Sequence, residues 1–288
     1  MTSMGSDATP HIAARPAFLV GCHRSGTTLA RYFLDAHSLI ACPPESKFLA
    51  GLDALLTYPQ ALAGLASLGV LPREVLNYCR TFADNVFNGY AHRCNKSRWV
   101  DKTPNYYRLL PLIDMMWERT PQFIYMIRHP LDTVSSLERF AAFNVSEPED
   151  PEVAAIIKRH GLTRRAWAIY WSEVYGCIND HQDANRDRYT TLRYEELVQF
   201  QDSAIDPVFT FLDVASERVA GRAFTQPHAD GFGDPSIKSA LGVYETSVGR
   251  WRSWRREEVD EIWDIVRPLA TLFGYDVDDR PLEQRRHE

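Results

Sequence analysis

A short apolar run, Phe18-Leu-Val, breaks at Gly21, crosses Cys22, His23, Arg24 and Ser25, and resumes beyond Gly26 at Thr27. The run reads as a buried strand, and the resumption as a helix whose apolar face carries Leu29, Phe33 and Leu34. No other stretch restricts the fold so tightly. Strand, glycine-bounded loop and helix N-terminus make a phosphate cradle: the backbone N–H groups of the first turn lack helical partners, and the helix dipole favours an anion there. The spacing from Gly21 to Gly26 is that of a nucleotide-binding P-loop, in which lysine and then serine or threonine follow the second glycine. Here Thr27 follows it directly, and the loop's cation is Arg24. A triphosphatase needs that lysine and a bridging metal on its terminal phosphates. A loop without the lysine is expected to hold a phosphate without cleaving it.

A second phosphate site is expected further along. Gln122-Phe-Ile-Tyr-Met-Ile-Arg-His-Pro130 is apolar nearly throughout, and so predicts a central strand covered on both faces. The strand ends at Arg128, and Pro130 opens a helix that carries Ser136. A guanidinium at a strand end can hold phosphate in a bidentate charged pair, and a hydroxyl from the adjoining helix adds a hydrogen bond. Trp99 and Val100 predict another short strand, with Lys102 at its carboxyl end, where open parallel sheets collect ligands. Thr103-Pro104 then predicts a helix start with threonine as the cap. Pro43 and Pro44 hold the backbone extended and forbid a helix before Glu45. That carboxylate sits just past the phosphate-loop helix, facing a bound nucleotide or serving as a helix N-terminal acid.

Between these fixed points, residues 51–97 read as a helical insertion, and 140–152 as an acidic, mobile loop near the site. A long helix is expected over 151–180, with Gly161 as a possible break. A strand is expected over 188–194, a second helical region over 205–224 and a long loop over 226–242. An amphipathic helix closes the chain at 257–275. Residues 1–15 and 276–288 read as disordered ends of a single domain spanning 16–275.

The net charge of −6, spread along the chain, gives no footprint for nucleic acid. No apolar run has membrane-spanning length, and the polar start has no secretory core. Five cysteines without a Cys-x-x-Cys pair read as reduced thiols, with no zinc or other metal site, in a cytoplasmic protein.

Arg24-Ser-Gly-Thr-Thr-Leu-Ala-Arg-Tyr-Phe-Leu-Asp-Ala-His37 with Glu45 resembles the sulfotransferases that use 3′-phosphoadenosine 5′-phosphosulfate (PAPS), especially the tyrosylprotein branch and its bacterial relatives. Lys102-Thr-Pro resembles an element of heparan sulfotransferases, and Arg128 with Ser136 resembles the family's 3′-phosphate pair. Tyr194-Glu-Glu-Leu is similar to the family's Tyr-Glu-Asp-Leu element, whose tyrosine lies near the adenine; Tyr194 can equally be structural. Gly249, Arg250, Trp251 and Arg252 are similar to a segment that folds over the nucleotide.

The resemblance implies a nucleotide-kinase-like parallel α/β sheet with helices on both faces. It implies transfer of a sulfuryl group to a hydroxyl, leaving adenosine 3′,5′-bisphosphate, without a metal. By the same resemblance Glu45 is the general base, and Lys102 and Arg24 stabilise charge. His23, Ser25, Gly26, Thr27, Thr28 and Leu29 line the 5′-phosphosulfate. His37, His92, His129 and His228 are the alternative bases. A small-molecule or biosynthetic-intermediate acceptor is expected, with a protein hydroxyl as the alternative. An atypical kinase and a non-catalytic nucleotide-binding domain are the rival functions. Two departures from the family pattern are His23 in place of a usual proline and Lys47 where the tyrosylprotein enzymes use arginine.

Overall fold

The structure is a computed structural model that describes residues 15–143, 151–234, 237, 242–243 and 247–277. Residues 1–14 and 278–288 of the predicted disordered ends, 144–150 of the 140–152 loop, 235–236 and 238–241 of the 226–242 loop, and residues 244–246 fall outside the described residues.

Strands β1 (Ala17–Gly21), β4 (Asp101–Lys102), β5 (Gln122–Ile127) and β6 (Tyr189–Arg193) form one parallel sheet in the order β4-β1-β5-β6. Two further short strands, β2 (Ile40–Ala41) and β3 (Arg98–Trp99), pair parallel beside it. The strand expected over Trp99 and Val100 is therefore split: Trp99 ends β3, Val100 lies between the two strands, and Lys102 ends β4.

Side chains alternate across β1 and β5, as a pleated strand requires. Phe18, Val20, Phe123, Tyr125 and Ile127 enter one core, and Ala17, Leu19, Ile124 and Met126 enter the other. The first core is closed by α4 (Pro72–Arg93), α5 (Leu110–Met116), α6 (Pro130–Phe143), α7 (Pro151–His160), α8 (Arg164–Asp183) and a C-terminal helix (Arg256–Leu272). The second is closed by α1 (Thr27–Ala36), α9 (Tyr194–Phe200) and α10 (Asp202–Phe211). Helices thus cover both faces, and both central strands are buried along their length.

The predicted helical insertion corresponds to α2 (Leu49–Thr57), α3 (Pro59–Ser67) and α4. Gly161 does separate α7 from α8. Three expectations are corrected. The helix after Pro130 continues to Phe143, so Phe140 is helical. The region expected to be helical over 205–224 ends at Phe211, and Val214–Val219 continues as irregular chain held by the Val219 and Ala220 N–H donors to Asp202 Oδ1. Thr103 precedes a 3₁₀ turn (Pro104–Arg108) but does not cap it, because its hydroxyl is engaged elsewhere.

β1 lies between β4 and β5, so the chain runs from β1 out to β4 on one side and then returns past β1 to β5 on the other. Ligands collect at the carboxyl ends of strands that flank such a switch. Those ends carry the 21–26 loop, Lys102 and Arg128.

Candidate active site

Helix α1 starts at a glycine and carries no side-chain cap. Gly26 holds φ +100, a left-handed conformation that costs a side chain dearly, and it caps the helix with no side-chain hydrogen bond. The N–H groups of the first turn are left for another partner. Arg24 is also left-handed, at φ 66, which curls the loop amides into a concavity of the kind that receives anions. Ser25 turns inward and donates to Cys22 O at 2.7 Å, fixing the loop from within. Thr27, Thr28 and Leu29 are all buried where the helix begins. His23, within the loop, faces Tyr170 with ring centroids 6.3 Å apart and the planes inclined by 24°.

Lys102 reaches this loop from the end of β4. Its ammonium is fully buried, donates to Glu45 Oε1 at 2.8 Å and sits 3.4 Å from Thr28 Oγ1. The Pro-Pro turn that carries Glu45 is pinned by polar contacts. Ser46 N–H donates to Thr103 Oγ1 at 3.1 Å, and Thr103 Oγ1 bonds Asp101 Oδ2 at 3.2 Å. Tyr106 Oη meets Ser46 Oγ and the Leu49 N–H, each at 3.1 Å. The threonine expected to cap a helix therefore ties the Glu45 turn to the Lys102 strand. Burial opposes the charge on Glu45, yet Lys102, through charge and hydrogen bond, holds the carboxyl below its ordinary pKa, with help from His23 and Lys47. Burial likewise pulls Lys102 down, against the pull of Glu45. Asp101, wholly enclosed, is pushed up to about 7 by burial despite hydrogen bonds from Ser46 and Thr103.

A second cluster forms around Arg128. Its Nη1 donates to Arg24 O at 2.9 Å, its Nη2 donates to Ser247 O at 2.6 Å, and its guanidinium lies 4.2 Å over the Tyr194 ring. The buried Nε of Arg128 has no hydrogen-bond partner among the described residues. An orphaned buried guanidinium donor fits a phosphate oxygen, since leaving such a group unpaired costs free energy. Ser136 faces the same space and accepts from Arg24 Nε at 3.3 Å. Arg24 thus bridges from the loop to Ser136.

The Tyr194 ring packs against Gly26, and its hydroxyl bonds Ser247 Oγ at 2.8 Å. The Gly249 and Arg250 N–H groups donate to the Asp132 carboxylate at 2.8 and 3.0 Å. Trp251 stacks on His129, centroids 5.3 Å apart and rings within 3° of parallel. Arg252 folds over Trp251, 5.0 Å from its ring.

The histidines considered as bases lie elsewhere. His37 is buried against Ala215 O, His129 is stacked in the core, and His228 pairs with Asp35 at 2.7 Å. His92 lies in the last turn of α4.

Two residues the sequence did not single out prove important. Arg31 Nε donates to Cys42 O at 3.0 Å, and the Cys42 N–H donates to Asp35 Oδ1 at 3.0 Å, so both hold the chain entering the Pro-Pro turn. Two charges four apart on one helix do not by themselves reveal them, since the burial of all ten residues of α1 is visible only in the structure. Among the described residues no group of side chains could hold a metal ion, and no helix is long and apolar enough to cross a membrane.

A model of the Sulfotransferase family matches residues 16–218. The chain is similar to nodulation protein NoeE of Sinorhizobium fredii, 29% identical over 90% of this chain and 65% of that one, so it spans just under two thirds of that relative. In fold it is similar to the sulfotransferase domain of the Synechococcus olefin synthase, with TM-score 0.64 and 21% identity, covering 91% of this chain and 95% of that one. It is also similar to a mouse sulfotransferase complexed with PAP, with TM-score 0.54 and 16% identity, covering 95% of this chain and 89% of that one.

Proposed function

The chain belongs to the sulfotransferase family, and from that premise we propose that it transfers a sulfuryl group from PAPS to an acceptor hydroxyl. Residues 16–275 would act as one catalytic unit, in a cytoplasmic protein. The observation that carries the reading is the position of Lys102: a buried ammonium held between Glu45 and Thr28 at the lip of the phosphate loop. A general base, a cation and the donor cradle then meet within hydrogen-bond reach.

In this reading the loop amides, Arg24 and Thr28 hold the donor's 5′-phosphosulfate, and Arg128 and Ser136 hold the 3′-phosphate. The acceptor oxygen attacks sulfur in line, and the bond from sulfur to the bridging oxygen breaks. The hydroxyl proton passes to Glu45, and adenosine 3′,5′-bisphosphate leaves. Lys102 does two jobs in sequence. Before the donor binds it keeps Glu45 ionised; with the donor in place it turns to the bridging oxygen, and Glu45 becomes more basic as its cation departs. Positioning and fixed charge supply most of the acceleration, since the transferred group needs no covalent enzyme intermediate. The similarity to a domain of a biosynthetic synthase favours a small-molecule or biosynthetic-intermediate acceptor.

The test is turnover of PAPS with a panel of phenols and alcohols. Glu45→Gln should lower transfer about 10²- to 10⁴-fold while leaving the affinity for adenosine 3′,5′-bisphosphate within about threefold. Undiminished transfer in Glu45→Gln would remove the base assignment.

A further inference from the structure

The phosphate loop already carries an anion supplied by the chain itself. Segment Ala229–Asp234 crosses the site, and Asp234 Oδ1 lies 2.7 Å from Arg24 Nη1 in a pair that is only about one fifth exposed on each side. The Asp234 N–H donates to Thr28 Oγ1 at 3.1 Å. Gly233 sits against Thr28 and Lys102, such that a Cβ there would lie 3.4 Å from Thr28 Oγ1 and 3.6 Å from Lys102 Nζ. One short stretch of backbone thus stands over three residues assigned above to the donor and the transferred group.

The segment is also fastened to the base. Phe232 O accepts the Glu45 N–H at 3.2 Å, and Lys47 Nζ lies 4.0 Å over the Phe232 ring. Gly231 packs so closely on Pro44 that a Cβ would come within 2.6 Å of the ring. At its near end the segment is tied to α1: Arg31 Nη2 donates to Ala229 O at 3.0 Å, and His228 stacks on Tyr32 at 4.0 Å. The tie at α1 ends on the buried Arg31 and Tyr32, whereas Phe232 at the tip is 57% exposed. These contacts describe a strap fixed to α1 at one end and held over the site at the other by the Asp234 carboxylate on Arg24 together with the Thr28, Glu45 and Lys47 contacts. The family's model ends at residue 218, before this segment begins.

We propose that Ala229–Asp234 is an autoinhibitory strap, in which Asp234 occupies the place of the donor's anion and must leave before PAPS can bind. The inference rests on the assignment of Arg24 and Thr28 to the donor. A phosphosulfate and the Asp234 carboxylate cannot share these partners, because two anions that close repel each other and compete for one set of donors. The free chain then binds donor with an affinity reduced by the fraction of molecules in which the strap is open. Since the strap also accepts the Glu45 N–H, donor entry and the setting of the base are linked.

The test measures binding of inorganic pyrophosphate and of adenosine 3′,5′-bisphosphate to the wild type, Asp234→Asn and Asp230→Asn. Asp230→Asn removes the same charge from the same segment and serves as the control. The strap predicts about tenfold tighter binding of both ligands in Asp234→Asn, equivalent to about 1.4 kcal/mol, with Asp230→Asn close to the wild type. It also predicts that pyrophosphate speeds hydrogen exchange at the Glu45 amide of the wild type. Equal affinities in all three proteins, or equal tightening in both variants, would overturn the strap. Tighter pyrophosphate in Asp234→Asn, with no bisphosphate binding by any of the three, would support the strap and overturn the donor assignment instead.

Discussion

Gly26 shows how much one residue contributes at the site. Its left-handed backbone begins α1, and the ring of Tyr194 lies so close that a Cβ would come within 2.4 Å of it. Gly26→Ala therefore meets two obstacles, a backbone conformation that alanine avoids and a ring that must move from beneath Arg128. It should destabilise the protein by about 1–3 kcal/mol and weaken binding of adenosine 3′,5′-bisphosphate, as followed by thermal unfolding and titration. An unchanged melting temperature would show that the Tyr194 ring yields freely. Both glycines of the loop, Arg24, Lys102 and Arg128 were legible in the sequence because each stands where an apolar strand abruptly meets polar chemistry. Arg31, Asp35 and Asp234 were not, because what gives them a role lies far along the chain. The Arg31 bond to Ala229 spans 198 positions, and the Asp234 bond to Thr28 spans 206. No local pattern records such a meeting.

At the scale of elements, the end of β5 is joined to the Arg250–Ser253 turn by His129. Its backbone N–H donates to Glu195 Oε1 at 2.9 Å, its Nε2 meets Asp276 O at 3.2 Å, and its ring lies flat on Trp251. Burial drives the pKa down to about 4; Asp132 and the Asp276 carbonyl oppose that shift, while Arg252 and Arg128 add to it. The unfolded chain, with an ordinary value near 6.5, binds more protons between these limits than the folded one. The stabilising contribution of the neutral ring is therefore complete above about pH 6.5 and is lost as pH falls toward 4. Between pH 7 and pH 5 the wild type should lose about 2 kcal/mol of stability that His129→Gln does not lose. Denaturant unfolding at the two pH values checks this, and parallel losses would contradict it. From the sequence His129 was a residue before a proline turn and one of four alternative bases. Its stacking depends on Trp251 arriving from 122 positions further on, which strand and helix periodicity cannot reveal. The elements themselves were largely readable, because apolar runs and helical spacing are local properties. The misread stretches, Phe140 and the chain after Phe211, are places where tertiary contacts decide whether a helix continues.

For the whole molecule, the central claim is a site with two anion-holding centres at the carboxyl edge of one parallel sheet, built for a nucleotide that carries phosphate at both ends of its ribose. Strand order produces that site: β1, β4 and β5 deliver the loop, Lys102 and Arg128 side by side, although they are far apart in the chain. The order could not be read from the sequence, since apolar runs do not say which strand neighbours which. The most direct measurement is calorimetric titration with adenosine 3′,5′-bisphosphate, AMP and ATP–magnesium, on the wild type and on Arg128→Ala. The two-centre site predicts that the bisphosphate binds at least about 100-fold tighter than AMP, the increment expected of charge-assisted bonds to the 3′-phosphate. In Arg128→Ala that gap should close. Equal affinity for the bisphosphate and AMP, or a preference for ATP–magnesium that survives the Arg128 change, would contradict the account.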